Sequence, residues 1–115
     1  MAPRFLSRAE LDTVIRLAPL ISIDLVIRNA RDEGLLGLRT NEPAKGCYFV
    51  PGGMILKNER LADAFARLVK TETDHAASLD DARLIGVFEH FYDNNRSSGP
   101  ILTFASGAGR LSCEC

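Results

Sequence analysis

The segment from Val50 to Glu72 constrains the fold more than any other part of the sequence. It opens with Pro-Gly-Gly, which predicts a sharp turn whose backbone amides and carbonyls can face a ligand. Apolar residues then recur at helical spacing, so we expect an amphipathic helix that begins at residue 59, with Asn58 as its N-cap. On this helix Glu72 lies on the apolar stripe, one turn beyond Leu68.

The position of Glu72 leaves two interpretations open. A carboxylate inside an apolar stripe costs several kcal/mol unless it is paired, protonated or bound to a cation. The first interpretation is therefore that Glu72 binds a cation. The second is that the helix has already ended at this point and the side chain faces water.

Size and composition narrow the class of protein. A chain of 115 residues with 46% apolar and 25% charged residues is typical of one soluble domain. The net charge of −1 gives no basic surface for nucleic acid, and no apolar run is long enough to span a membrane. The N-terminus lacks the apolar core of a secretory signal, and three cysteines form no disulfide framework. We expect a cytoplasmic protein.

Periodicity predicts further elements around this segment. Ser7 and Glu10 have capping-box spacing, which predicts a helix over 7–16 that Pro19 ends. Residues 20–28 alternate apolar and polar side chains, and with residues 35–40 they predict a β-hairpin. Residues 84–92 predict another strand. From residue 96 the sequence is rich in breakers, and 101–105 is the one short strand candidate.

Polar residues in these strands also have two interpretations. Asp24 faces either a pocket or water, and Arg39 near a strand end is either functional or an ordinary surface residue. On a strand, His90 would share one face with Phe88 and Tyr92. It is either packed among them or part of a site.

The spacing of Gly53, Glu59, Arg67 and Glu72 resembles the Nudix box, over residues 53–75. Members of that family hold Mg²⁺ with helix carboxylates and a loop carbonyl. Three further stretches, 40–53, 64–68 and 86–93, resemble the GDP-mannose mannosyl hydrolase branch. The resemblance runs from about Phe5 to Asn94.

This resemblance implies an α/β fold of the Nudix type, an α/β/α sandwich with a mixed sheet and the box helix on one side. It implies Mg²⁺-dependent hydrolysis of GDP-mannose or GDP-glucose to GDP and free sugar by attack at the anomeric carbon. It also implies a homodimer, in which the segment 5–16 could form the interface. The implied site comprises the metal ligands Gly52 (through its carbonyl) and Glu72, the sugar-side residues Asp24 and His90, the diphosphate-side Arg39 and Arg67, and the nucleotide-side Phe5, Leu6 and Leu11.

Several departures from the family pattern modify these expectations. Most Nudix enzymes carry glutamate where this chain has Leu68 and Thr71, which implies fewer bound metal ions and fits the mannosyl hydrolase branch. Met54 replaces a common arginine, and Asp74 replaces the glycine that usually closes the box. The family's third side-chain metal ligand and its general base lie on a loop beyond the part that matches.

The match stops near residue 95. We therefore expect a Nudix-like domain over residues 1–95 and a divergent tail over 96–115 that is poorly ordered or forms a short strand. A truncated or frame-shifted product of such a gene is one hypothesis for this break. Two alternative functions stay open: a catalytically defective fragment that binds nucleotide sugar, and a small interaction domain whose Nudix-like segment is only structural.

Overall fold

The computed structural model describes residues 2–28, 31, 33–38, 46, 48–91 and 98–106. Two helices, a short 3-10 helix and six strands follow one another along the chain. In order they are α1 (Arg8–Leu17), β1 (Ser22–Val26), β2 (Gly37–Leu38), β3 (Tyr48–Phe49), β4 (Gly52–Met54), α2 (Leu61–Thr73), the 3-10 helix (Leu79–Asp81), β5 (Ala82–Phe91) and β6 (Ser98–Ser106).

A mixed sheet in the order β4-β1-β6-β5 forms the centre of the fold. β1 is antiparallel to β4 and parallel to β6, and β6 is antiparallel to β5. Helix α2 covers one face of this sheet, and the core lies between them. The predicted α/β fold with a mixed sheet and the box helix on one side is confirmed.

Alternation along β1 works as the sequence predicts. Ile23, Leu25 and Ile27 are buried against α2, whereas Asp24 is half-buried on the opposite face. The strand is shorter than the predicted 20–28. The predicted hairpin is reduced to an isolated bridge between Arg28 and Gly34, because β2 pairs with β3 instead.

The helix boundaries confirm one cap and correct another. Ser7 and Glu10 form the predicted capping box at the start of α1. Asn58 is not the N-cap of α2: it has a left-handed φ of 66°, and Arg60 occupies the N-cap without a side-chain hydrogen bond. The helix starts later than predicted because the Glu59 carboxylate folds back onto the Leu56 amide. At its other end, Asp74 adopts the left-handed conformation that the absent glycine would favour.

Strand β6 contains the short strand predicted over 101–105 and is longer than predicted. Its nine residues run between β1 and β5, so residues 98–106 complete the sheet instead of trailing behind it. Phe104 is buried and meets Phe65 of α2 edge to face, with ring centroids 5.7 Å apart. Residues 92–97 and 107–115 lie outside the described part of the chain.

Gly99 and Pro100 make the start of β6 look like a loop in the sequence, but both fit the strand structurally. A Cβ on Gly99 would lie 2.2 Å from the Leu20 carbonyl oxygen, and its φ of +141° also requires glycine. Pro100 precedes Ile101, where the pairing with β1 begins, so its missing N–H removes no hydrogen bond on that side.

Within the described residues, neither helix is both long enough and apolar enough to cross a membrane.

We expect Phe104→Ala to lower the free energy of unfolding by about 3–5 kcal/mol, because it removes a buried ring and leaves a cavity. Urea denaturation measures this change. Leu17→Ala, at an exposed apolar position of α1, is the matched control and should change the stability by about 0.5 kcal/mol or less. A Phe104→Ala protein as stable as the control would show that β6 is not an interior strand.

Candidate metal and nucleotide site

The glycine pair forms strand β4 rather than the predicted turn. Gly52 pairs with Asp24 and Gly53 with Ile23, and neither glycine has a positive φ. Close packing explains both glycines instead. A Cβ on Gly52 would lie 2.1 Å from the Ile23 carbonyl oxygen, and a Cβ on Gly53 would lie 2.7 Å from Cδ2 of Leu68. Gly52 thus allows the close approach of β4 to β1, and Gly53 allows the close approach of β4 to Leu68 of α2.

The hydrogen-bond pattern of β4 turns the Gly52 carbonyl outward. The Leu25 amide bonds to the Pro51 carbonyl and the Ile55 amide to the Ile21 carbonyl. In an antiparallel pair, bonded and non-bonded positions alternate, so Gly52 and Met54 occupy non-bonded positions. Their carbonyls point away from β1, at the edge of the sheet. The ladder with β1 therefore does not use the Gly52 oxygen, and a ligand can reach it from that edge.

An ion pair between Glu59 and Arg67 fixes this edge to α2. Arg67 Nε donates to Glu59 Oε2 at 2.7 Å, and Arg67 Nη2 donates to Glu59 Oε1 at 3.0 Å and to the Met54 carbonyl at 2.9 Å. The Leu56 amide donates to the same carboxylate at 3.0 Å. The Glu59 side chain is only 2% exposed. We call these four residues the Glu59 clamp.

The clamp also determines the protonation of Glu59. Hydrogen bonds from Arg67 hold the pKa of Glu59 below its ordinary value, against the raising effect of burial, and the Leu56 amide lowers the pKa further. The carboxylate is therefore charged at neutral pH.

Arg67 is fully occupied by structural contacts in the described residues. Besides Glu59 and Met54, its guanidinium stacks on the Phe5 ring, 5.7 Å from the centroid. The predicted contact of Arg67 with a diphosphate remains untested, but the structure assigns Arg67 a positioning role first. Sequence spacing places Glu59 and Arg67 in the box but does not indicate that Arg67 holds the Met54 carbonyl.

Glu72 lies within α2, so the helix has not ended before it, but its side chain is exposed. The expectation that it is buried in the apolar stripe is wrong. The buried positions of α2 are Ala64, Phe65, Leu68 and Val69, and the covered part of the helix stops there. Glu72 therefore continues the line of Leu68 into solvent, and its charge carries no burial cost.

The sugar-side candidates are separated. Asp24 lies against Gly52, since its Oδ1 would be 3.1 Å from a Cβ there. His90 is half-buried on β5, at the opposite edge of the sheet, and pairs with Gly99. Strand spacing and residue rise place the two Cα atoms roughly 16 Å apart. The structure thus brings Asp24 to Gly52 and does not bring His90 to Asp24.

Next to β4 lies a mostly apolar groove of about 320 Å³. Leu6, Met54, Arg4 and Lys57 are among its lining residues, and the Arg4 amide bonds to the Lys57 carbonyl. Leu6 therefore contributes to a cavity, Phe5 is exposed beside it, and Leu11 is half-buried on α1. Arg39 lies outside the described residues. Arg4 and Lys57 carried no signal in the sequence, because the groove forms only when the N-terminal segment meets β4.

We expect Glu59→Gln to lower the free energy of unfolding by about 1.5–3 kcal/mol, because it removes the charge from buried hydrogen bonds. Asp74→Asn, which alters an exposed pair with Lys70, is the control and should cost less than about 1 kcal/mol. Equal losses of stability in Glu59→Gln and Asp74→Asn would show that the Glu59 clamp contributes no more to stability than an exposed ion pair.

The difference in stability between the native chain and Glu59→Gln should depend on pH. Because the folded-state pKa of Glu59 is lowered, its contribution is fully present above the ordinary carboxyl pKa of about 4.3 and is lost as the pH falls below that value. The difference in unfolding free energy between the native chain and Glu59→Gln should therefore shrink on acidification. Urea denaturation between neutral pH and pH about 3 measures it. A difference that is constant with pH would contradict the charged clamp.

Comparisons with known proteins give the fold a name. No family model matches the sequence. Over 92 residues the chain is 45% identical to the low-salt glycan biosynthesis protein Agl8 of Haloferax volcanii, a match that covers 78% of this chain and 56% of that protein. The chain thus spans little more than half the length of this curated relative.

Solved structures agree on the architecture. The MutT protein from Methanosarcina mazei Go1 superposes with a TM-score of 0.65 at 26% identity, over 77% of this chain and 64% of that one. The NUDIX domain of Shewanella oneidensis NrtR, complexed with ADP ribose, gives a TM-score of 0.65 at 18% identity, over 95% of this chain and 75% of that one. The chain therefore has the Nudix fold.

Proposed function

We propose that the chain binds a divalent cation, Mg²⁺, together with a nucleotide sugar, and hydrolyses GDP-mannose or a related GDP-hexose to GDP and free sugar. The observation that carries this proposal is the outward Gly52 carbonyl, at the same strand edge as the Met54 carbonyl that the Glu59 clamp holds. The resemblance to the mannosyl hydrolases supplies the substrate, and the fold supports a hydrolase of nucleotide-linked substrates.

The contacts between β4 and α2 support the proposal that Glu72 lies at the level of Gly52. Arg67 meets Met54, and the next helix residue, Leu68, meets Gly53. The helix and the strand therefore run antiparallel to each other. Five residues from Arg67 to Glu72 rise about 7.5 Å, and two residues from Met54 back to Gly52 cover about 6.6 Å. Because the two displacements are similar, we propose that Glu72 and Gly52 lie at about the same height along this edge.

The donors fit the cation. A backbone carbonyl and a carboxylate are hard oxygen ligands, and Mg²⁺ commonly takes only one or two protein carboxylates while water and substrate phosphates complete its octahedron. Across the described residues no three His, Cys, Asp or Glu side chains gather into a ligand group, so Gly52 and Glu72 would be the protein's share there. Bound Mg²⁺ would neutralise charge on the departing diphosphate.

The groove beside β4 suits the nucleotide. Its apolar lining would accommodate a base, and Leu6, one of the predicted nucleotide-side residues, is among the lining residues. Lys57 has no side-chain partner among the described residues, so its ammonium is available to a phosphate near the position where Met54 replaces arginine. We propose Lys57 and Arg39 as the cations of the diphosphate, with Arg67 positioning the edge.

The reaction balances without a redox partner. The oxygen of water forms a bond to the anomeric carbon, the bond from that carbon to the diphosphate oxygen breaks, and its electron pair leaves with GDP. The proton of the attacking water passes to a base, a role that we propose for a residue outside the described part of the chain, because His90 lies at the opposite edge of the sheet. Asp24, on the face opposite α2 and adjacent to Gly52, would stabilise positive charge that develops on the sugar.

The names of the similar proteins agree with this substrate class. The relative from H. volcanii is named for glycan biosynthesis, and the NrtR domain holds ADP ribose, a sugar joined to a nucleoside diphosphate. A cytoplasmic setting and a homodimer remain predictions from the sequence.

The separation of His90 from Asp24 favours a second candidate function: binding of the nucleotide sugar without turnover. A site that has its metal ligands and groove but no base near the sugar would bind and turn over slowly, since loss of a general base costs about 10²–10⁴-fold.

We expect the native chain with Mg²⁺ to release GDP and mannose from GDP-mannose, and Glu72→Gln to lower this rate at least about 10²-fold, because the cation supplies several kcal/mol. In ¹⁸O-labelled water the label should enter mannose. Label in a phosphate, with GMP as product, would instead indicate attack at phosphorus.

Two controls separate the candidates. Asp63→Asn alters an exposed carboxylate in the first turn of the same helix and should leave rate and metal affinity unchanged. Calorimetric titration with Mg²⁺ in the presence of GDP reads the site without turnover. Binding that Glu72→Gln weakens, with no release of mannose, selects the second candidate. Binding that Glu72→Gln leaves unaltered would refute the assignment of Glu72.

A further inference from the structure

One row of paired residues crosses all four strands of the central sheet at the level of Gly52. In strand order the row comprises Gly52 of β4, Asp24 of β1, Thr103 of β6 and Gly86 of β5. Residues that pair across neighbouring strands direct their side chains to the same face of a sheet. Because Ile23, the neighbour of Asp24 in β1, is buried against α2, the row lies on the face opposite α2. The row therefore leads from the outward Gly52 carbonyl across the face that carries Asp24.

We infer that the hexose of the nucleotide sugar lies on this row, and that Thr103 and Phe88 determine which sugar the site accepts. Asp24 would lie at the anomeric end of the sugar. The Thr103 hydroxyl would bond to the sugar 4-hydroxyl, and the Phe88 ring would contact C–H groups at the far end. Because the hexose is part of the proposed substrate, this placement rests on the proposed function. The family resemblance gives Thr103 and Phe88 no role in this chain.

Thr103 supplies a hydroxyl that the fold itself does not use. The residue is half-buried in β6, an interior strand, and its side chain makes no hydrogen bond to another described residue. Its neighbours on the same face of β6, Ile101 and Ala105, are apolar. A threonine hydroxyl offers one donor and two acceptor lone pairs, so it can both donate to and accept from a sugar hydroxyl. Thr103 is therefore a polar point on an otherwise apolar strand face.

Phe88 closes the far end of the row. It lies two residues beyond Gly86 on β5, on the same face, and its ring leans back over that glycine. A Cβ on Gly86 would be 3.1 Å from Cζ and 3.2 Å from Cε2 of the ring. The ring thus lies next to Thr103, and Phe88 remains 47% exposed. An exposed aromatic ring beside a few placed polar groups is the usual composition of a small-molecule site.

Strand spacing fits one sugar ring between Asp24 and Phe88. Neighbouring strands are about 4.8 Å apart, so Asp24 and the ring over Gly86 are separated by two such spacings, with Thr103 between them. The diphosphate would lie at the β4 edge, which puts the anomeric carbon nearest Asp24. Carbon 4, opposite the anomeric carbon in the ring, then lies nearest Thr103. Mannose and glucose differ only at carbon 2, so this row would accept both and select at carbon 4.

The test is calorimetric titration of the full chain, with Mg²⁺ present, against two ligands. One is GDP. The other is an analogue of GDP-mannose in which CH₂ replaces the anomeric oxygen, so that binding is measured without turnover. We expect Thr103→Val to weaken binding of the analogue about three- to tenfold, because a neutral hydrogen bond is lost, and to leave GDP affinity within about twofold. Removal of the 4-hydroxyl from the analogue should weaken binding to the native chain by a similar factor and binding to Thr103→Val no further.

Phe88→Ala and Phe91→Ala form a matched pair on β5. Phe91 is 77% exposed and points to the opposite face of the sheet, because it lies three residues from Phe88 on a regular strand. We expect Phe88→Ala to weaken the analogue about fivefold or more without changing GDP affinity, and Phe91→Ala to change neither affinity. Circular dichroism verifies that each variant is folded.

The two ligands distinguish failure of the sugar placement from failure of the proposed function. GDP binding in which Thr103→Val and Phe88→Ala weaken both ligands equally, or leave the analogue unaffected, would overturn the placement of the hexose and leave the proposed function standing. A native chain that binds neither ligand would refute the proposed function and the sugar placement with it.

Discussion

The buried charge of Glu59 organises the β4 edge of this protein. A carboxylate that is 2% exposed must be satisfied by donors, and here Arg67 and the Leu56 amide satisfy it. Because Arg67 also holds the Met54 carbonyl, one ion pair fixes the helix, the strand and the turn between them. The Gly52 carbonyl, two residues away, points outward at the same edge because of the alternating ladder between β1 and β4.

Glycine makes this arrangement possible by allowing close approach, not by turning the chain. The strand pairs with β1 on one side and receives Leu68 at van der Waals distance on one face, and a Cβ at Gly52 or Gly53 would collide with one or the other. The Pro-Gly-Gly pattern therefore indicates the right residues, Gly52 and Gly53, but predicts a turn where the structure has a strand. A Pro-Gly-Gly segment predicts a turn locally, and only the neighbouring strand and helix show why the glycines are needed.

Local patterns predicted the parts of the fold that depend on local physics. Alternation in β1 and the capping box of Ser7 and Glu10 are short-range effects, and both were found. The sequence predicts a short strand over 101–105, but the place of β6 inside the sheet depends on a parallel pairing with β1 about eighty residues earlier, which no local pattern encodes. Its Gly-Pro start reads as a loop, although it fits a close approach to Leu20. The groove beside β4 escaped prediction for the same reason, since its walls come from three distant segments.

Leu68 shows how packing and chemistry are linked in α2. At this position, where glutamate is usual in the family, the side chain is 4% exposed and contacts Gly53. A carboxylate there would lose its hydration against an apolar strand and would need a bound cation as compensation. Leucine removes that requirement, so the helix stays packed whether or not metal is present. In the proposed site the charge moves one turn further, to the exposed Glu72, where a cation can bind without being needed for folding.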